Sequence, residues 1–172
     1  MDIQEVVFPV ESLAVGSLGK IHFRDAWRLR LPGTRKLSVD DAVRLIFSAT
    51  PGWVSSLMRV RDMVAVRFGL KTAGNVRRDP KEFIFEPGKS NGLFKVYARN
   101  GREIVMGEDD RHLDFRVSVL LDEIGEETLI TVCTVVRFNR LLGRLYFLPV
   151  RPFHRIIVPA ILRHMARTVG GE

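Results

Sequence analysis

Leu113, Phe115, Val117, Val119 and Leu121 alternate with His112, Asp114, Arg116 and Ser118, and no other feature of the chain restricts its fold as tightly. A two-residue period puts the apolar set on one face of a pleated strand and the polar set on the other. A helix would scatter both sets. Slipping the register by one residue would carry the charges into the core. The apolar face is therefore expected to be buried, and the His112, Asp114 and Arg116 face to lie nearer water.

The same period recurs in candidate strands at 82–86, 93–99, 102–107, 111–121 and 128–138, an antiparallel meander over 82–138. Asn100-Gly101 separates two of them and reads as a two-residue hairpin turn with positive φ angles. A first strand at 19–31 carries Ile21, Phe23, Trp27, Leu29 and Leu31 in alternation, with Asp25 and Ala26 as an expected break in register and Pro32-Gly33 as its end. Between this strand and the meander the spacing is helical. Ser38 with Asp41 three residues later resembles a capping box, and Val39, Ala42, Val43, Ile46 and Phe47 follow at helical intervals. Thr50-Pro51 starts a second helix through Leu57, Val60, Val64 and Phe68, with Gly69 as a left-handed stop, so two helices occupy 38–69. Residues 71–80 read as a polar loop. Helical spacing returns at 142–168, where Pro149, Pro152 and Pro159 predict one long kinked helix or a short one followed by a long one. The expected architecture is α+β, in one domain of 172 residues.

A net charge of +7 favours anionic partners. The arginines are spread along the chain and no aromatic-interleaved basic stripe accompanies them, so no nucleic-acid partner is expected. Arg144, Arg151, His154 and Arg155 interrupt the most apolar region, residues 141–162, which is read as a sheet-packing helix rather than a membrane span. A basic helix lying on a membrane surface fits the same residues. Cys133 is the only cysteine and no leader-like segment opens the sequence, so a reduced, cytoplasmic setting is expected.

Five segments carry a resemblance: Pro-Gly-Trp-Val-Ser-Ser-Leu-Met-Arg-Val-Arg-Asp at 51–62, Phe-Gly-Leu-Lys at 68–71, Gly-Glu-Asp-Asp-Arg-His-Leu-Asp-Phe-Arg at 107–116, Gly-Arg-Leu-Tyr at 143–146 and Pro-Phe-His-Arg-Ile-Ile at 152–157. Over about residues 20–168 the chain resembles the bacterial family known as domain of unknown function 2867. The order of elements is similar to START-like and Bet v 1-like (SRPBCC) helix-grip domains, in which a curved antiparallel sheet wraps a long C-terminal helix. The resemblance implies a fold and no catalytic residue. Some members of the family resemble appendages of nicotinamide-dependent enzymes, but this sequence has no Gly-x-Gly-x-x-Gly, and no cofactor is expected.

Asp109, Asp110, His112 and Asp114 offer metal-ligand atoms, yet neighbours two apart on a strand stand roughly 6.5 to 7 Å apart, too far for bonds of about 2 Å without a ligand from another strand. No metal is expected. Cys133 lies in an apolar run and reads as a buried hydrophobe, which leaves a His112–Asp114 pair without a nucleophile. The favoured reading is a module that binds a small hydrophobic ligand between sheet and C-terminal helix. Its lining would be Phe94, Val96, Phe115, Val117, Ile157 and Ile161, with Arg61 and His154 as polar contacts. Two alternatives stay open: an enzyme using His112, Asp114 or His154 for proton transfer on an apolar substrate, and an interaction domain with a filled core.

Overall fold

The computed structural model describes residues 2–33, 37–67, 69 and 79–170, apart from the side chains of Met58, Arg61 and Val64. The expected loop at 71–80 and the segment 68–71 lie mostly outside these residues. Among the described residues seven strands form one antiparallel sheet: β1 (Asp2–Glu5), β2 (Phe23–Pro32), β3 (Ser90–Asn91), β4 (Phe94–Arg99), β5 (Glu103–Asp109), β6 (Leu113–Ile124) and β7 (Glu127–Phe138). Their order across the sheet is β1-β2-β7-β6-β5-β4-β3. The meander runs to one edge, and β2 returns to the far side of β7. Among the described residues three α-helices accompany them, α1 (Val39–Ser48), α2 (Gly52–Arg67) and α3 (Leu141–Gly170). This is an α+β fold of the helix-grip kind, a curved sheet against a long C-terminal helix.

The helices start where the sequence caps them. The Ser38 hydroxyl accepts the Asp41 amide, and Asp40 and Asp41 place negative charge at the positive end of α1. Gly125, at φ 60°, supplies the left-handed residue that the two-residue connection from β6 to β7 needs. Asn100-Gly101 does join β4 to β5, but neither residue takes a positive φ. The turn includes Arg102 and is closed by the Asn100 side chain, which accepts the amides of Arg102 and Glu103. Residues 82–86 form no strand; a 3₁₀ turn at Pro80–Glu82 leads into extended chain that buries Phe83 and Phe85. β1 has no counterpart in the sequence reading, because Asp-Ile-Gln-Glu offers a single apolar residue at an edge position.

The inner face of the sheet is the helix-covered one. Leu29, Val96, Ile104, Met106, Val119, Ile130 and Val132 meet Val43 and Ile46 of α1 and Val158, Leu162 and Met165 of α3 in one core. Helix α3 runs unbroken through its three prolines. Positions 143, 147, 150, 154, 158, 162, 165 and 169, spaced by three and four, are buried or half-buried along it.

The middle of the outer face is not open to water. Residues 6–22 cross it, and Phe8, Ala14 and Leu18 pack on Ala26, Cys133 and Val135. Glu103, 1% exposed, anchors this cover by accepting the Ser12 hydroxyl and, at 2.9 Å, the Leu13 amide. The expectation that His112, Asp114 and Arg116 sit nearer water is therefore wrong: they are 7%, 2% and 3% exposed. Burial is tolerated because the charges are matched. Asp114 takes Arg137 and the Asn139 amide nitrogen, and Arg116 reaches Asp109 at 2.7 Å. A β-bulge between Val96 and Ala98 shifts the register at Tyr97, and the Arg116 guanidinium lies 3.4 Å from the centre of that ring.

Candidate functional site

On the inner face, one row of the sheet breaks the apolar pattern. Phe23, Trp27, Leu29 and Leu31 obey the two-residue period of β2, and Asp25 occupies the inward position between them. Its register partner on β7 is Thr134. The ladder is continuous from Phe23 to Pro32, so Asp25 and Ala26 do not break the register. Helix α3 brings His154 onto this pair. Nδ1 of the ring lies 2.9 Å from Asp25 Oδ2, and Nε2 lies 3.3 Å from Thr134 Oγ1.

This geometry selects a tautomer. In the neutral ring Nδ1–H donates to the carboxylate, which leaves the lone pair on Nε2 directed at the Thr134 hydroxyl. The Asp25 side chain is 3% exposed and that of His154 19%. Two buried polar atoms of this row have no hydrogen-bond partner among the described residues: Asp25 Oδ1, an acceptor, and Trp27 Nε1, a donor. Residues two apart on one strand are about 6.5 to 7 Å apart. Asp25 and Trp27, which carry this acceptor and this donor, thus share one face of β2, with the histidine over Asp25.

The apolar side of the site continues across the sheet. Val117 is the next residue beyond Thr134 in the row, and Phe115 neighbours Val136 one pair along. Of the residues expected to line a pocket, Val96 is fully buried, while Phe94, Phe115, Val117, His154, Ile157 and Ile161 are half-buried. The Phe94 ring stands 5.9 Å from Phe115 and 5.0 Å from Phe47, both edge-on. The Arg61 side chain lies outside the described residues.

The three histidine and carboxylate candidates for proton transfer are split between the two faces of the sheet. Asp114 is on the outer face, engaged by Arg137 and Asn139 and by the Asp110 amide at 3.1 Å. His112 Nδ1 is buried with no hydrogen-bond partner among the described residues, so Asp114 does not orient it through that nitrogen. Only His154 belongs to the inner site. Asp25 and Thr134 were not singled out from the sequence as site residues. The available signal was an acid at an inward position of an alternating strand, where burial has to be matched by a partner.

Three other groups of the sheet, Cys133, Tyr97 and Asp109, are shifted from their ordinary values. Burial pushes the Cys133 thiol up to about 12, against a smaller opposing effect of its hydrogen bond with Ser118. Burial likewise raises the Tyr97 phenol to about 12, with Asp109 beside it adding to the effect against the opposing charge of Arg116. Burial works to raise the Asp109 carboxyl as well, but the hydrogen bond and charge of Arg116 prevail and hold it below its ordinary value. Among the described residues, no three histidine, cysteine, aspartate or glutamate side chains converge to hold a metal ion.

No curated protein matches the chain. Among solved structures, an uncharacterised protein from Rhizobium leguminosarum is similar at 14% identity and a TM-score of 0.30, over 84% of this chain and 99% of its own. The family model described as protein of unknown function (DUF2867) matches residues 17–161, a stretch that includes β2 with Asp25, β7 with Thr134 and the part of α3 that holds His154, and the chain belongs to that family.

Proposed function

We propose that the chain is a binding module that holds a small, mainly apolar molecule between the inner face of the sheet and α3, as START-like helix-grip domains do. One observation carries this reading. Along β6 the polar residues are the buried ones: Asp114, Arg116 and Ser118 are 2%, 3% and 0% exposed, while Phe115 and Val117 between them are only half-buried. Apolar surface left open to water costs about 25 cal/mol per Å², and a ligand that covers it recovers that free energy. Small-molecule sites are mainly apolar with a few fixed polar groups, and His154, Asp25 Oδ1 and Trp27 Nε1 supply such groups here. A molecule with an apolar body and one hydroxyl or amino group, able to donate to Asp25, matches this lining.

Uptake of the dye 8-anilinonaphthalene-1-sulfonate by the purified protein tests the reading. Val117→Trp puts a bulky ring at the half-buried position beside Thr134 and should lower uptake about tenfold while the circular dichroism spectrum stays unchanged. Leu145→Glu, on the solvent side of α3, should leave uptake as it was. Equal uptake by wild type and Val117→Trp, together with no small molecule recovered by organic extraction, would defeat the proposal.

Proton transfer by His154 is a second reading, favoured by the Asp25 contact that directs the Nε2 lone pair inward. Acyl transfer through Thr134 is not supported. β7 is paired on both edges, by β2 and β6, so its amides are spent in the ladders and cannot form an oxyanion hole. Base-dependent turnover of an apolar substrate, abolished by His154→Gln, would put this reading in place of simple binding.

A further inference from the structure

Helix α3 carries two stripes. The sheet-facing one is accounted for by the fold; the opposite one is not. Leu141, Leu145, Leu148, Pro152 and Ile156 follow one another at intervals of four, three, four and four, which puts them on a single face. They are exposed, and the four large ones remarkably so for their type: Leu141 71%, Leu145 55%, Leu148 67% and Ile156 57%. At 1.5 Å per residue this apolar line is about 22 Å long. Continued by the same spacing, it reaches Arg163 and Arg167, so the solvent face of α3 is apolar in its first half and basic in its second.

The charge on this helix has one sign. Across its 30 residues there are five arginines and no aspartate or glutamate. Arg144, Arg151 and Arg155 border the apolar line on one side. Arg151 lies over the Phe23 ring at 5.7 Å and Arg155 pairs with Glu5 at 3.2 Å, so both stand at the rim rather than within the stripe. Trp53, 46% exposed, lies beside Arg163 and Arg167 across a cleft of about 230 Å³ between the start of α2 and the end of α3.

We propose that this face of α3 docks on an anionic lipid bilayer, with the apolar half in the acyl boundary and Arg163 and Arg167 among the headgroup phosphates. Charge complementarity is what selects this occupant. A helix that lies in the plane of the interface needs an apolar face bordered by Arg or Lys, whose stems pack on the apolar surface while their charges stay with the phosphates. Tryptophan favours the same depth. Although α3 has the length and mean hydropathy of a membrane-crossing helix, its other face is committed to the core through Val158, Leu162 and Met165, so lying on the surface uses the exposed stripe without unfolding the domain.

Flotation of the full chain with lipid vesicles tests the proposal. The protein should float with vesicles of phosphatidylcholine mixed with phosphatidylglycerol, much less with phosphatidylcholine alone, and less at high salt. The double variant Leu145→Glu and Leu148→Glu should lose about tenfold or more of its partitioning, as expected when two leucines no longer enter the interface. Arg163→Gln with Arg167→Gln should lower binding to the anionic vesicles severalfold and leave the weak binding to neutral ones unchanged. Unchanged circular dichroism and dye uptake in both double variants would show that the fold and the inner site are intact. Absence of flotation with the anionic vesicles, or equal flotation by the leucine variant, overturns the proposal. A lipid-independent dimer that the leucine variant dissociates would overturn it too, by assigning the stripe to a second copy of the chain.

Discussion

Gly143, in the first turn of α3, lies against the carbonyl group of His112 so closely that a Cβ on the glycine would stand 2.1 Å from that oxygen. The same carbonyl accepts the amides of Asn139 and Arg140 at 2.9 and 3.2 Å. The residue at the mouth of β6 therefore fixes both the end of β7 and the entry of α3. The Gly-Glu-Asp-Asp-Arg-His run at 107–112 and the Gly-Arg-Leu-Tyr run at 143–146 are distant in sequence and meet at this point. Gly107 has a matching constraint, since its Cβ would lie 2.0 Å from the Phe115 carbonyl oxygen.

Gly143→Ala should destabilise the protein by about 1 to 3 kcal/mol or more, because the clash is with backbone and cannot be relieved by a side-chain rotation. Gly107→Ala should behave alike. Chemical denaturation of each variant against wild type measures the effect. A change below about 0.5 kcal/mol, the range of a neutral surface substitution, would show that the two segments do not need this close approach.

Asp25→Ala should cost about 1 to 3 kcal/mol, because His154 loses the acceptor of its Nδ1–H in a site from which water is largely excluded. Asp25→Asn retains an oxygen that can accept the same bond and should recover part of the loss. Denaturation midpoints of the two variants, read beside their dye uptake, separate the structural role of Asp25 from its role in orienting a ligand. Equal stability of wild type and Asp25→Ala would remove the histidine contact from the account of the fold.

The sequence was most legible where one local rule acts alone. Ser38 caps α1 because its hydroxyl needs only the Asp41 amide, and the strands of the meander appear because Ile104, Met106, Val119 and Val132 alternate toward a single core. Legibility failed where burial depends on a distant segment. Nothing in the pattern of β6 announces that residues 6–22 will cover its polar face, or that Glu103 will be held by Ser12 and Leu13, some ninety positions away. That Phe115 and Val117 share the helix-covered face of β6 with Val119 was readable from the two-residue period. The polar centre was not, because Asp25 looked like a fault in a strand until His154, more than a hundred residues later, was placed over it.

Cys133 should be unreactive toward Ellman's reagent in the folded protein at pH 8. The side chain is 0% exposed between Ala26 and Val135, and burial raises its thiol to about 12, so neither access nor thiolate is supplied. Denaturant should release one equivalent of thiol, the chain having one cysteine. Rapid labelling without denaturant would mean that the cover formed by Phe8, Ala14 and Leu18 opens readily.

Tyr97 should make the fold sensitive to alkali in a defined window. Its phenol titrates near 10.0 when unperturbed and is raised to about 12 in the folded protein, first by burial and then by the nearby Asp109 carboxylate. Below pH 10 both folded and unfolded chains keep the proton, and the shift contributes no pH dependence. Between about 10 and 12 the unfolded chain releases it while the folded one does not, so the unfolded state is favoured and stability falls as pH rises. The denaturation midpoint of wild type should accordingly drop across this interval relative to Tyr97→Phe, which has no proton to lose. Parallel curves for the two proteins from pH 9 to 12 would show that the ring beneath Arg116 ionises as freely as a tyrosine in water, and that the outer-face network is looser than its distances imply.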